Sequence, residues 1–339
     1  METVLLGKSG VSVPVMGVGT MLWTPNKSLS EDTVQDTYSA CVDNNLNFFG
    51  TAEIYGNGKS ERILGACMKR DGRPVLVASK FAPPSKMIPM THKRFSTSKD
   101  SPRALSEALA GSLSRLGVEY LDLYHMHAPP SKNSISDYME VMAEAVKSGK
   151  VRAVGVCNFS EAQIREAHAA LAGHGIPLAT AMAGYSLLRR YPETNGIFDA
   201  CKELDVAFIP YAPLAEGILT GKYRPGGKRV PLSYAAVVYF GHLDITKEHG
   251  DSRLLISRIF SKPMELDRKK TEPLFRVMEE IAEAHGKTMA QVAINWLLTN
   301  DDITVIPIPG MKNAKQVRDN LGALEWRLTR EERSRINSI

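Results

Sequence analysis

"YLDLYHMHAPPSKNSISDYMEVMAEAVKSGKVRAVGVCN" (residues 120–158) contains a complete strand–helix–strand unit and decides the fold prediction. Its first and last eight residues, 120–127 and 151–158, are too continuously apolar to alternate between a buried and an exposed face. That pattern is typical of parallel strands that are covered on both sides. Between them, 134–150 repeats its apolar residues at helical spacing. The stretch therefore predicts two parallel strands joined by a helix.

The same alternation recurs along almost the whole chain. A β-hairpin is predicted at 3–16, and the helix predicted at 30–45 begins with Ser30 as its N-cap. The other predicted strands are 16–20, 46–50, 74–80, 178–186, 206–213 and 303–310, and the other predicted helices include 60–70 and 101–117. Eight such units in a chain without a Pro- or Ser-rich linker predict one domain over 1–339, a closed (β/α)8 TIM barrel with an N-terminal hairpin, rather than an open doubly wound sheet.

Two long loops interrupt this regularity, 81–100 after the third strand and 222–265 after the seventh. Loops of this length are usually lids or binding loops, or else disordered. The apolar stretch 232–244 could line a hydrophobic substrate pocket or pack on the barrel. Basic residues of the first loop could meet an acidic substrate or be solvated: they are Lys86, Lys93 and Arg94.

Composition excludes several classes of function. Hydrophobic residues make up 43% of the 339 residues and charged residues 23%, and a net charge of +5 without clustered basic stripes predicts no nucleic-acid partner. No apolar run reaches the ~18 residues of a membrane span, so no membrane partner is expected. Four widely separated cysteines predict neither disulfides nor a metal site. The N-terminus lacks a signal-peptide pattern, so a cytoplasmic location is expected.

The carboxyl ends of the predicted strands carry the residues that a barrel uses for chemistry. Tyr55, Lys80 and His127 come from three neighbouring strand ends. A lysine ammonium lowers the pKa of a nearby tyrosine, and a histidine can orient a carbonyl oxygen. Taken singly, each residue is better explained as packing or surface, but together they favour an acid–base site that protonates the oxygen of an aldehyde or ketone.

The chain resembles the aldo-keto reductases, especially the branch of plant and microbial reductases to which potassium-channel β-subunits are related. The resemblance covers nearly the whole chain and rests on these motifs: "GVGT" (17–20), "TAEIYGNGKSE" (51–61), "ASK" (78–80), "LDLYHMH" (121–127), "GVCNFS" (155–160), "PYAPLAEGILTGKY" (210–223) and "IPGMKNAKQVRDN" (308–320). It implies a (β/α)8 barrel that binds a single NADPH and reduces carbonyl groups without a metal.

The resemblance also implies roles for individual residues. Tyr55 would be the general acid, Lys80 the partner that lowers its pKa, and His127 the residue that orients the carbonyl. Tyr211 would stack on the nicotinamide, and Lys312 would favour NADPH over NADH. The remaining implied cofactor-binding positions are Gly19 and Thr20, Cys157 and Asn158 with Met182 at the carboxamide, Leu214 to Gly217 at the pyrophosphate, and Gly310, Gln316 and Asn320 at the adenosine, with Arg318 a possible helper.

Three positions depart from the family pattern. Gly50 stands where an aspartate pairs with the lysine, Cys157 where a serine stands, and Met182 where a glutamine holds the carboxamide. Met182 can neither donate nor accept a strong hydrogen bond. The adenosine end keeps its residues, so NADPH binding is expected, with a nicotinamide that is held less firmly. An introduced Asp→Gly substitution is an alternative origin of Gly50.

Two functional hypotheses follow. The favoured one is an NADPH-dependent reductase of a small-molecule carbonyl, acting as a monomer with a weakened site. The alternative is a non-reductive descendant, either an enzyme that uses Tyr55 and Lys80 for proton transfer or a regulatory subunit that senses NADP(H). Oxidation of NADPH by a panel of aldehydes distinguishes them.

Overall fold

The computed structural model describes residues 1–24, 29–83, 101–224, 266 and 268–339. Most of both predicted long loops therefore lies outside the described residues, together with Lys86, Lys93, Arg94 and the stretch 232–244. Two compact units can be distinguished: the first comprises 1–184, 191–211 and 300–318, and the second 185–190, 212–299 and 319–339. A single domain over 1–339 stays a prediction.

A parallel sheet of seven strands forms the centre of the first unit. Its strands are hydrogen-bonded in the order in which they follow one another in the sequence. They are β3 (Val18–Gly19), β4 (Phe48–Gly50), β5 (Leu76–Phe81), β6 (Leu121–Met126), β7 (Val151–Cys157), β8 (Leu178–Gly184) and β9 (Ala207–Tyr211). An antiparallel hairpin, β1 (Thr3–Leu5) and β2 (Ser12–Pro14), precedes the sheet. The predicted hairpin and the first seven parallel strands are thus confirmed.

The segment 304–310 pairs with the last strand of the sheet. The Ile306 N–H donates to the Phe208 carbonyl at 2.9 Å, and the Ile308 N–H donates to the Pro210 carbonyl at 3.4 Å. Because successive residues of an extended chain point their backbone groups to opposite sides, 307 and 309 face away from β9.

The same segment reaches the first strand of the sheet on its other side. The carbonyls of Pro307 and Pro309 each accept a hydrogen bond of 3.0 Å, from the N–H groups of Gly17 and Gly19 respectively. Proline has no N–H to return, so the pairing is limited to isolated bridges such as Gly19 to Gly310. The predicted eighth strand is therefore irregular, but it closes the sheet into the predicted (β/α)8 barrel.

A helix follows each of the strands β3 to β8. They are α1 (Glu31–Asp43), α2 (Lys59–Asp71), α3 (Pro102–Leu116), α4 (Ile135–Lys147), α5 (Glu161–Ala172) and α6 (Ile197–Leu204). Serine is the N-cap in four of them, and its hydroxyl accepts an N–H of the first turn: Ser30, Ser101, Ser134 and Ser160. These caps fix where each helix begins, and the predicted cap at Ser30 is among them.

The second unit is helical where it is described. It contains α7 (Arg268–His285), α8 (Met289–Leu298) and α10 (Arg330–Asn337), and the boundary between the units falls within α9 (Ala314–Leu321). The first three residues of α7, 268–270, are exposed. Buried Asn295 donates to the carbonyls of Ala323 and Trp326 and accepts from the Leu328 N–H, and so ties α8 to the chain that follows α9. No helix in the described ranges is long and apolar enough to cross a membrane.

Apolar side chains on alternate strand positions fill the interior of the barrel. The members of this cluster on the sheet and the closing segment include Phe48, Ala78, Leu123, Ala153, Cys157, Met182, Ala207, Ile209, Ile306 and Ile308. Lys80 and His125 lie two residues beyond Ala78 and Leu123 and therefore face the same side of the sheet. His125 is hydrogen-bonded through Nε2 to the Thr180 hydroxyl at 2.9 Å.

Gly155 is the position where this interior leaves no room for a side chain. A Cβ there would lie 2.1 Å from Thr180 Oγ1 and 2.6 Å from His125 Cδ2. We expect Gly155→Ala to lower the free energy of unfolding by about 3 kcal/mol, because overpacking displaces both members of a buried hydrogen bond. Urea unfolding measures the loss. Gly173→Ala, at an exposed helix end with contacts no closer than 3.4 Å, is the control and should change stability by less than about 1 kcal/mol. Equal effects of the two substitutions would contradict this account of the interior.

Candidate active site

The three predicted catalytic residues are brought together at one end of the barrel. Lys80 belongs to β5 and is 2% exposed, and His127 directly follows β6. Tyr55 lies in the turn after β4. Lys80 Nζ is 5.2 Å from the centre of the Tyr55 ring, and the rings of Tyr55 and His127 are 5.8 Å apart at an angle of 80°. The contact of Tyr55 with both other residues follows from strand order, since β4, β5 and β6 are consecutive neighbours.

The turn that carries Tyr55 is fixed to the end of β5 by Glu53. The Glu53 N–H donates to the Lys80 carbonyl at 3.5 Å, and its carboxylate accepts the Ala82 N–H at 2.8 Å. Burial raises the pKa of the Glu53 carboxyl to about 7. The sequence analysis did not single out Glu53. The available signal was an acidic residue two positions before Tyr55 in a stretch of otherwise small and apolar residues.

Three buried hydroxyl groups hold the backbone beneath Tyr55. The Thr20 hydroxyl donates to the Gly50 carbonyl at 3.2 Å, and the Ser60 hydroxyl donates to the Thr20 carbonyl at 2.8 Å. Ser60 Oγ is also 2.8 Å from Thr20 Oγ1 and 3.1 Å from the hydroxyl oxygen of Thr51. The backbone from Gly50 to Thr51 is therefore anchored on the side of the chain next to α2.

Lys80 is held by a main-chain carbonyl in place of a carboxylate. Its Nζ donates to the Thr51 carbonyl at 2.7 Å. A Cβ on Gly50 would lie 3.6 Å from Ile308 Cδ1 and 3.8 Å from the Val18 carbonyl oxygen, which is ordinary contact distance. Neither backbone conformation nor space at Cβ therefore requires glycine at position 50. The Thr51 carbonyl therefore anchors Lys80 although the aspartate of the family pattern is missing.

Burial dominates the electrostatics of the three residues. It lowers the pKa of the Lys80 ammonium to about 8, against smaller opposing effects of Cys157 and Glu61. Burial, with a smaller contribution from Cys157, raises the pKa of the Tyr55 phenol well above its usual value. The expectation that Lys80 lowers the pKa of Tyr55 is therefore not met, because desolvation of the phenolate outweighs attraction to the ammonium.

His127 is a neutral imidazole at physiological pH. Burial, together with the charge of Lys80, lowers its pKa to about 3. Its Nδ1 is buried without a hydrogen-bond partner in the described part of the chain. A neutral imidazole carries one N–H donor, which can bind a carbonyl oxygen.

The positions implied to hold the nicotinamide carboxamide are linked to His127. Cys157 on β7 is the register partner of Met182 on β8, and both belong to the apolar cluster. Asn158 has a φ of 61°, and its amide donates to the His127 carbonyl at 2.9 Å and to Cys157 Sγ at 3.2 Å. The Tyr211 hydroxyl donates to Asn158 Oδ1 at 2.9 Å. Burial raises the pKa of the Cys157 thiol to about 12, so this side chain is uncharged at neutral pH. Asn158 and Tyr211 therefore supply the polar side chains at this position.

The predicted adenosine-end residues of the first unit lie at the end of the closing segment and after it. A Cβ on Gly19 would be 3.0 Å from the Ile308 carbonyl oxygen, so the bridge between Gly19 and Gly310 needs a small residue. Lys312 is exposed and donates its N–H to the Gln316 side-chain oxygen at 2.8 Å. Gln316 therefore holds the backbone just before α9, next to the exposed basic side chain of Lys312.

The other predicted cofactor positions belong to the second unit. Ala215, Glu216 and Gly217, directly after Leu214, have consecutive φ values of 49°, 55° and 89°. Such left-handed backbone at non-glycine residues is strained and is concentrated at functional sites. Asn320 is buried. The cofactor roles of Leu214, Gly217 and Asn320 stay predictions.

Comparisons with known proteins give one consistent result. The family model described as "Aldo/keto reductase family" matches residues 15–339. A pyridoxal reductase, chloroplastic, of Arabidopsis thaliana is 34% identical over 96% of this chain and 83% of its own. The aldo-keto reductase yakc of Schizosaccharomyces pombe, whose name includes NADP(+), is 29% identical over 94% of this chain and 86% of its own. A thermostable aldo-keto reductase, Tm1743, solved with the inhibitor epalrestat, superposes with a TM-score of 0.72 at 26% identity, covering 100% of this chain and 99% of that one.

The lowered pKa of Lys80 makes stability depend on pH. Between about 8 and the ordinary lysine value of ~10.4, the unfolded chain binds a proton that the folded protein has released. The free energy of unfolding of the wild type, minus that of Lys80→Met, should therefore rise across this range by at most ~1.4 kcal/mol per pH unit. Urea unfolding at pH 7, 8, 9 and 10 measures it. Exposed Lys59→Met is the control, and parallel curves for wild type and Lys80→Met would show that Lys80 titrates normally.

Proposed function

The chain belongs to the aldo-keto reductase family, and on that premise we propose that it reduces a small-molecule aldehyde or ketone to the alcohol with NADPH, acting as a monomer. The observation that carries the proposal is the convergence of Tyr55, Lys80 and His127. Lys80 Nζ is 5.2 Å from the centre of the Tyr55 ring, and the rings of Tyr55 and His127 are 5.8 Å apart. A phenol, an ammonium and a neutral imidazole are the groups that a developing alkoxide needs around it.

The first unit offers a partial fit to NADPH. Asn158 and Tyr211 form a polar pair against an otherwise apolar wall, which suits the carboxamide and the ring of a nicotinamide. Exposed Lys312 suits the 2′-phosphate of the adenosine. NADPH, when bound, supplies a hydride to the carbonyl carbon of the substrate. Cys157 and Met182 offer it no strong hydrogen bond, so Asn158 would position the carboxamide.

Tyr55 is the proposed proton donor. Its raised pKa keeps the phenol protonated at neutral pH, so that the proton is available when negative charge develops on the substrate oxygen. The ammonium of Lys80 would stabilise the phenolate that remains, at a distance of 5.2 Å from the ring. His127, neutral at this pH, would donate an N–H to the same oxygen and exclude water from it.

A second candidate function is a non-reductive reaction, either proton transfer at a carbonyl compound or sensing of NADP(H). The observation that favours it is the loss of three polar groups from one site, at Gly50, Cys157 and Met182. In that case Tyr55 and Lys80 would still exchange protons with the substrate, while the hydride would not be transferred.

Tyr55→Phe tests the proton donor. Purified protein with NADPH and a panel of aldehydes, beginning with pyridoxal because a relative bears the name pyridoxal reductase, should oxidise NADPH in an absorbance assay. We expect Tyr55→Phe to lower kcat about a hundredfold or more, because the general acid is lost. Exposed Tyr120→Phe is the matched control and should leave kcat unchanged. Binding of NADPH without oxidation by any aldehyde would contradict the reductase proposal and favour the second candidate.

Gly50→Asp tests the missing carboxylate. An aspartate at position 50 pairs in register with Ala78, two residues before Lys80, and should raise kcat about tenfold at pH 9 because its charge keeps the Lys80 amine protonated beside Tyr55. It should also raise the pKa of Lys80, so that activity persists to higher pH than the wild-type value of about 8. Gly50→Asn, of the same size but uncharged, is the control and should reproduce neither change. An unchanged kcat in Gly50→Asp would direct attention to Met182→Gln.

A further inference from the structure

The Lys80 amine is buried, and no described carboxylate is paired with it. In the ranges that the structure describes, it forms no ion pair; Nζ donates to the neutral Thr51 carbonyl and lies 5.2 Å from the centre of the Tyr55 ring. The carboxylate whose charge acts on Lys80, Glu61, is itself bound to the Ser79 hydroxyl at 2.6 Å and to Arg115 at 2.6 Å. Ser79 and Lys80 are successive residues of β5 and point to opposite faces of the sheet, so Glu61 lies on the outer side.

An amine in such surroundings is a nucleophile. Removing the ammonium from water disfavours its charge, and a carbonyl acceptor compensates that loss less than a carboxylate does. Desolvated lysines in apolar sites are the ones that form Schiff bases with carbonyl substrates. Lys80 meets this description, and the apolar cluster that fills the same interior includes Cys157 and Met182.

We propose that Lys80 captures aldehydes covalently as an imine, an activity that rests on the proposed binding of aldehydes at this site but not on hydride transfer. The amine nitrogen forms a bond to the carbonyl carbon, and one amine proton moves to the oxygen to give a carbinolamine. The carbon–oxygen bond then breaks, the second amine proton leaves with the oxygen as water, and a carbon–nitrogen double bond remains. No oxidant or reductant is consumed.

The neighbours of Lys80 suit both halves of this reaction. The phenol of Tyr55, 5.2 Å from the amine to the ring centre, can protonate the departing oxygen. Tyr55 is partly exposed, so the amine lies close to the part of the site that a ligand can reach. Gly50 favours the reaction because it has no carboxylate. A carboxylate at that position would keep the amine protonated and suppress its attack on the carbonyl carbon.

Reductive trapping tests the proposal. The wild-type protein is incubated with pyridoxal and sodium cyanoborohydride at pH 8 without NADPH, digested, and analysed by peptide mass spectrometry. We expect the reduced adduct on Lys80 to form at least about ten times faster than on exposed Lys59 and Lys147, since each unit by which a pKa is lowered raises the neutral fraction about tenfold. Labelling of Lys80 no faster than of these surface lysines would overturn the proposal.

Matched variants separate charge from space. Gly50→Asp should lower labelling of Lys80 about tenfold or more, whereas Gly50→Asn, with the same volume and no charge, should keep it within about twofold of the wild type. Lys80→Arg should lose the label at position 80 and leave Lys59 and Lys147 labelled as before. Equal losses in Gly50→Asp and Gly50→Asn would overturn the electrostatic basis of the proposal. Circular dichroism of each variant verifies that it is folded.

The same preparations distinguish failure of this proposal from failure of the proposed function. NADPH oxidation is measured on each with pyridoxal and no cyanoborohydride. Rapid labelling of Lys80 without NADPH oxidation would support imine formation and contradict the reductase. NADPH oxidation without preferential labelling of Lys80 would overturn imine formation and leave the reductase standing.

Discussion

Closure of the barrel by the segment 304–310 is the constraint on which the active site depends. Ile306 and Ile308 donate to β9, while Pro307 and Pro309 accept from the chain at Gly17 and Gly19. A closed sheet has no free edge, so each side chain on alternate positions must face either the interior or the helices. Lys80 and His125 have no alternative to the interior, and their burial follows from their register with Ala78 and Leu123.

That burial decides the charge states at the site more than any pair of residues does. The same desolvation lowers the pKa of Lys80 and His127 and raises that of Tyr55, so each group is driven toward its neutral form. Such a site can donate a proton from Tyr55, but it stabilises its single cation, the Lys80 ammonium, only weakly. In such a site a carboxylate at position 50 would have a large effect on the pKa of Lys80, because few other charges act on the amine.

The fold could be predicted from the sequence because the strand–helix periodicity recurs along the chain. The grouping of Tyr55, Lys80 and His127 could be predicted because the strand ends of a barrel converge. The eighth strand was predicted as a regular strand but is irregular. Hydrophobic periodicity does not show that the prolines at 307 and 309 lack two backbone N–H donors. The Thr51 carbonyl beneath Lys80 could not be predicted at all. Every residue has a backbone carbonyl, so the sequence does not mark the one that accepts a hydrogen bond from Lys80. The direction of the Thr51 carbonyl depends on the hydroxyl contacts of Thr20 and Ser60.

Gly50 therefore changes the chemistry of Lys80 more than its position. The Thr51 carbonyl holds the amine at 2.7 Å, a distance typical of a charge-assisted hydrogen bond, so geometry is retained. A carbonyl, however, bears no net charge, so it favours the ammonium over the neutral amine less strongly than a carboxylate does. Substituting one acceptor for the other leaves the lysine in place and releases its proton at lower pH. The same residue can then act as an electrostatic partner of Tyr55 when protonated and as a nucleophile when not.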